Sequence, residues 1–161
     1  MKSNDVFFRS LSKEFEQFAN KHIVLVGGCF DILHFGHISF LKQAKKAGDF
    51  LVVALENDDF IRSQKKREPF HTLQERSTIL KEIRAVDSVV SLPILSGYED
   101  YLSLVQAIRP NVIAVTENDP YLSQKRKQAR SIHAKVKIVI SRNSKHATTS
   151  ILQHLKKQSN T

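Results

Sequence analysis

The chain contains a single cysteine, Cys29, among its 161 residues. It can form no internal disulfide framework, and a reducing compartment suits it best. No apolar run approaches the roughly 18 residues needed to cross a bilayer. No positively charged start leads into an apolar signal core either. A soluble, cytoplasmic protein without a membrane span is expected. Internal repeats, low-complexity linkers and a composition shift marking a second domain are also missing, so one hydrophobic core is expected for this length. The sequence lacks an aromatic-basic stacking motif of the kind that binds single-stranded nucleic acid, because its phenylalanines sit mainly in apolar contexts.

Positive charge, by contrast, is abundant. Twenty-five Lys and Arg stand against 16 Asp and Glu, a formal net charge of +9. Such a balance favours anionic partners such as nucleotides, phosphorylated metabolites, nucleic acid or acidic lipid, without choosing among them.

Runs rich in Val and Ile predict strands at 22–27, 50–55, 88–92, 111–116 and 136–141. All but the third are almost continuously apolar, as strands buried on both faces of a parallel sheet must be. Helical spacing fills the gaps at 37–47, 72–85, 98–109 and 120–133, with a last helix at 148–157. The alternation predicts an α/β fold: one doubly wound, Rossmann-like parallel sheet of about five strands with helices on both faces. Phe7, Leu11, Phe15 and Phe18 form one helical stripe after a capping Asn4 or Asp5. Residues 1–21 therefore read as a helical extension packed on a domain at 22–157, with 158–161 as a tail.

The stretch GGCFDILHFGHISFL, residues 27–41, directly follows the first apolar run. In a doubly wound sheet, ligands bind beyond the carboxyl ends of the strands, and this stretch starts at such an end. Gly27 and Gly28 let the chain turn tightly and bring N–H groups near an anion, while a helix beginning near Gly36 or His37 aims its positive end there. His34 and His37, three apart, straddle the helix start and point the same way as donors to phosphate oxygens. Asp31 either holds the turn or helps to bind a metal. The glycine pair alone is weak, and two histidines could be buried and merely satisfied, with zinc the remoter alternative. No third ligand at usable spacing joins them, and the conjunction of strand end, glycines, aspartate and histidine spacing favours phosphate.

These residues resemble the signature of the cytidylyltransferase-like nucleotidyltransferases, G-x-F-D-x-x-H-x-G-H, followed by a helix, "GD" and a second strand. Similarity continues from about residue 23 to 153. The resemblance implies transfer of a nucleoside monophosphate from CTP or ATP to a small phosphorylated acceptor, with Mg²⁺ as cofactor, no nucleic-acid partner and a homodimeric state. It makes His34, His37, Lys65 and Arg142 catalytic. Gly28, Cys29, Phe30, Asp31, Gly36, Asp119, Thr148 and Thr149 would bind nucleotide, and Arg84, Asp31 and Arg67 the acceptor. Without it, the charge run around Lys65 and Arg67 reads as a solvated loop, Arg84 as a helix end, Thr148 as a helix cap and Arg76 as structural. Arg84 and Arg142 incline the reading to CTP and a polyol or amino-alcohol phosphate. GGCFD is close to the ADP-heptose synthase pattern and inclines it to ATP and a sugar phosphate. Glu117 stands where relatives carry glycine, which implies a moved loop, an altered acceptor or a nucleotide sensor without activity. Lys145 and Ala147 also depart from the pattern.

Overall fold

The computed structural model describes residues 4–141. The strand expected at 136–141 lies wholly within them, whereas Arg142, Thr148, Thr149 and the helix expected at 148–157 lie outside the described residues.

Five parallel strands form the sheet: β1 (Ile23–Gly28), β2 (Phe50–Leu55), β3 (Ser88–Ser91), β4 (Val112–Thr116) and β5 (Lys135–Ile140). Their order is β3-β2-β1-β4-β5. The chain thus leaves β1 toward one edge and returns to its other side with β4, so the carboxyl ends of β1 and β4 flank the point where the winding reverses. β1 pairs with β2 from Ile23↔Phe50 to Gly28↔Leu55, and with β4 at Val24↔Val112. Central β1 and β2 carry Val and Leu on both faces because both faces are covered.

One face packs on α1 (Asp5–Glu16), α5 (Gly97–Ile108) and α6 (Leu122–Ser131) through a core that includes Leu11, Phe15, Leu25, Val52, Leu104 and Ala129. The other packs on α2 (Phe35–Lys45) and α4 (Leu73–Lys81) through Val24, Val26, Leu41, Val53 and Leu80. The expected N-terminal stripe is present: Leu11 and Phe15 are buried, and the Phe18 ring stacks on Phe50 at 4.4 Å. Asn4 caps the start of α1 by position, but its amide bonds Ile94 O and Asp100 rather than the helix.

Two expectations need correction. The fifth strand is an edge strand: among the described residues β5 pairs with β4 alone, Lys135 and Lys137 are exposed, and Ile138 is about half exposed. The basic stretch read as a loop begins as a helix, α3 (Asp58–Lys65), which Asn57 caps by accepting the Phe60 N–H at 2.8 Å. Asp58 and Asp59 in its first turn and Arg62 and Lys65 in its last suit the helix dipole. It ends at Lys66, whose φ of 53° is left-handed.

Candidate active site

The chain turns sharply at the carboxyl end of β1. Phe30 takes a φ of 46°, an uncommon conformation for a side-chain-bearing residue. Its buried ring lies so close that a Cβ on Gly28 would stand 2.9 Å from it. Glycine at 28 is thus a packing requirement of this turn. The ring also packs on His37, with centroids 5.2 Å apart.

His34 is the N-cap of α2 and His37 lies in its first turn, the helix starting one or two residues before the position near Gly36 or His37 that the sequence suggests. Their rings stack with centroids 3.8 Å apart and planes 27° from parallel. His34 Nδ1 accepts the Gly36 N–H at 3.1 Å, so the ring proton of neutral His34 sits on Nε2. This bond also occupies the Gly36 N–H that the sequence offered to a phosphate. His37 Nδ1 is buried without a hydrogen bond among the described residues. Burial, and next the adjacent His34, push the His37 pKa down to about 4. Neutral His37 and the His34 ring stacked on it lie at the positive end of a helix, and an arriving polyphosphate favours protonation of His37.

Cys29 is half-buried, and chiefly that burial raises its thiol to about 11, while the charge of Lys65 pulls the other way. It is a thiol at neutral pH and no nucleophile. The influence of Lys65 on Cys29 puts the end of α3 close to this loop. Asp31 is buried and accepts from Phe70 N–H at 2.9 Å and His71 N–H at 3.1 Å, while its carboxylate pairs with Arg67. Arg67 also donates to Glu68 O. Asp31 and Arg67, expected to hold the acceptor, are engaged with each other and clamp the segment 67–71 beside the histidines.

Burial would raise the Asp31 pKa, but the bonds from His71, Arg67 and Phe70 outweigh it and hold the carboxyl below its ordinary value. Its stabilising effect is therefore present above the unfolded-chain pKa and is lost as pH falls through the lower folded value. Asp31→Asn is expected to cost about 2 kcal/mol at pH 7, the scale of a lost charge-assisted hydrogen bond. The deficit should shrink at strongly acid pH. Urea denaturation of both proteins across that range checks it.

Arg76, fully buried on α4, joins the carboxyl ends of two strands. It donates to Cys29 O at 2.6 Å, Glu56 O at 2.8 Å and His71 O at 3.1 Å, and pairs with Asp58 at 2.6 Å. The structural reading of this arginine matches that placement. Glu56, the first polar residue after β2, is buried, and Tyr101 OH on α5 donates to it at 2.9 Å. The sequence reading passed over Glu56; its one visible signal is a carboxylate at the end of a wholly apolar strand.

Beyond β4, Asp119 accepts from Tyr121 N–H at 2.8 Å and pairs with Lys125 at 2.7 Å. Glu117 is exposed and its N–H donates to Ile140 O at 3.1 Å. Its φ is not in the left-handed region, so this turn makes no backbone demand for glycine. Arg84 is not brought to the group within one chain. It lies exposed in the turn before β3, at the amino edge, where Asp87 bonds Leu51 N–H and Lys45. A helix antiparallel to the strands must end at that opposite edge. No three described His, Cys, Asp or Glu residues cluster as metal ligands. Asp31, the carboxylate nearest the histidines in sequence, is already fully engaged. The described residues thus do not build a cage for Mg²⁺, which typically binds through substrate phosphates and only one or two carboxylates.

A family model described as cytidylyltransferase-like matches residues 25–160, spanning the sheet and the histidine turn. The chain belongs to the cytidylyltransferase-like family. It is a nucleotidyltransferase of that family, as the motif implied. It is 44% identical over 119 residues to the FAD synthase of Thermococcus kodakarensis, covering 73% of this chain and 77% of that protein. The Pyrococcus abyssi FAD synthase is 40% identical, with 72% and 77% covered. The bifunctional protein HldE of Helicobacter hepaticus is 44% identical over 92 residues, covering 56% of this chain but 18% of that longer protein. Among solved structures, a lipopolysaccharide core biosynthesis protein from Thermoplasma volcanium superposes with a TM-score of 0.62 at 29% identity, covering 76% of this chain and 98% of that one. No described helix is long and apolar enough to cross a membrane.

Proposed function

We propose that this cytidylyltransferase-like protein transfers AMP from ATP to flavin mononucleotide, forming FAD and releasing pyrophosphate. One observation carries the choice: relatives sharing more than two thirds of their length with this chain, at up to 44% identity, are FAD synthases. The inclination toward CTP and a polyol phosphate finds no support among them. FAD is AMP joined to flavin mononucleotide through a diphosphate, so the bonds to be made and broken follow. A phosphate oxygen of the flavin nucleotide attacks the α-phosphorus of ATP, and the bond from the α-phosphorus to the α–β bridging oxygen breaks. The electron pair leaves with pyrophosphate.

The attacking phosphate is already an anion near neutral pH, so no protein base or nucleophile is needed. The protein's work is positioning and charge stabilisation. His34 and His37, stacked at the start of α2, donate to the oxygens on which charge grows. Lys65 grips the phosphates from the end of α3, and the buried clamp of Asp31 and Arg67 keeps the surrounding loop in place. Arg142, Thr148 and Thr149 complete the nucleotide side by resemblance, and Asp119 steadies the turn after β4. Mg²⁺, when it accompanies ATP, neutralises phosphate charge; none of these roles depends on it.

Incubation with flavin mononucleotide and either ATP or CTP, with chromatography of the flavin products, tests this reading. FAD formed from ATP, with CTP poorly used, is expected. Turnover with CTP and a polyol phosphate, and none with flavin, would overturn it.

A further inference from the structure

The carboxyl edge of β2 carries three polar residues in a row, and two are occupied by the fold. Asn57 caps α3 and donates to Pro93 O at 2.8 Å, and Asp58 pairs with Arg76. Glu56 is different. It is 8% exposed, yet Tyr101 OH is its one side-chain hydrogen-bond partner among the described residues. A carboxylate has about four acceptor positions, and the second oxygen of Glu56 is not sealed in the core, so acceptor positions stay open to a ligand. The side chain follows Val52 and Ala54 on the α5 face of the sheet, one strand from the histidine turn. Its backbone is pinned on both sides, with N–H to Gly28 O at 3.0 Å and its carbonyl to Arg76.

We infer that Glu56, held by Tyr101, is the acceptor-specificity residue of this site: its carboxylate accepts the hydroxyl groups of the acceptor's carbon chain. The inference rests on the proposed nucleotidyl transfer to a phosphorylated acceptor and names what the acceptor must carry besides its phosphate. A chain bearing adjacent hydroxyls, such as the ribityl chain of flavin mononucleotide, supplies donors to the open positions. Charged and titratable neighbours face Glu56 from each packed element: Tyr101 on α5, Lys125 on α6, Arg76 on α4 and Cys29 after β1. Burial, only partly offset by Tyr101, Lys125 and Arg76, raises its pKa to about 7. Hydroxyl donors favour the ionised form, so affinity for such a chain rises from pH 6 to pH 8 more steeply than ionisation of the ligand phosphate alone requires.

The test is calorimetric binding of ribitol 5-phosphate and of n-pentyl phosphate, which lacks the hydroxyls, to the wild-type protein, Glu56→Gln, Glu56→Ala and Tyr101→Phe. Wild type should prefer ribitol 5-phosphate at least tenfold. Glu56→Ala should abolish the preference, and Glu56→Gln should keep part of it without the added pH dependence. ATP affinity should stay within about twofold throughout, which a general loss of fold would not allow. Equal binding of the two phosphates by wild type, or no binding of either, overturns the inference. So does a Glu56→Ala effect on ATP alone, which would assign the carboxylate to the ribose of the nucleotide. Failure to make FAD with the ribitol preference intact would refute the flavin reading and leave this one standing.

Discussion

His37→Ala is expected to lower kcat by about a hundredfold or more, with urea stability reduced only modestly. Removing one preorganised donor to developing charge costs on that scale when the donor acts in a water-poor site. His37 is placed for such a role by two packed rings, Phe30 and His34, and by the helix start beneath it. His34→Ala should lose a comparable factor and also free the Gly36 N–H. A second measurement checks the burial of His37. Its pKa of about 4 in the fold lies below the roughly 6.5 of an unfolded chain, so between these values the unfolded state binds the extra proton. Stability contributed through this ring is present above the unfolded value and falls as pH drops from about 6.5 toward about 4. His37→Ala should flatten that acid-side slope. Near-normal turnover in the variant would remove His37 from the reaction.

Arg76→Met is expected to be among the most destabilising single changes, at about 3–5 kcal/mol, the cost of breaking a buried ion pair from one side. Methionine fills much of the volume but leaves Asp58 and three carbonyls, those of Cys29, Glu56 and His71, without their donor. Since a domain of this kind is stable by only about 5–15 kcal/mol in total, the variant should unfold at much lower urea. Asp58→Asn should cost less, because Asp58 is partly exposed and asparagine can still accept one bond. A loss under about 1 kcal/mol for Arg76→Met would mean that the carbonyls find water instead and that the arginine does not hold the two strand ends together.

The β1 turn was legible because several independent chemical demands fall within one short window: a packed glycine, a buried aspartate and two histidines one helical turn apart. The buried strands were legible because parallel strands covered on both faces have no polar side to hide them. α3 was not, since Ile61 is its one buried side chain and so short a helix leaves no apolar stripe; Asn57 and the acidic first turn were the available signal. Arg84 lies apart from the histidine turn of its own chain for a geometric reason. A residue that precedes a strand lies at the amino edge, whereas Gly28, Leu55 and Thr116 close their strands at the carboxyl edge, and the motif's letters carry no edge. That Asp31 holds the turn is one of the roles its position in the motif suggests, but that it does so through Arg67 is not visible in the sequence, because the pairing spans 36 positions. Positive charge pointed correctly to phosphate chemistry only in part, because Arg126, Lys127 and Arg130 line a shallow hollow on α6, away from the histidine turn.

The most direct measurement follows the label from ATP carrying a radioactive phosphorus at either the α or the γ position, with flavin mononucleotide as acceptor. Attack at the α-phosphorus predicts that α-label enters FAD one-for-one with pyrophosphate formed, while γ-label appears only in pyrophosphate. Label from the γ position in the flavin product, or release of the γ-label as inorganic phosphate with no α-label transferred, would contradict nucleotidyl transfer as the chemistry of this site.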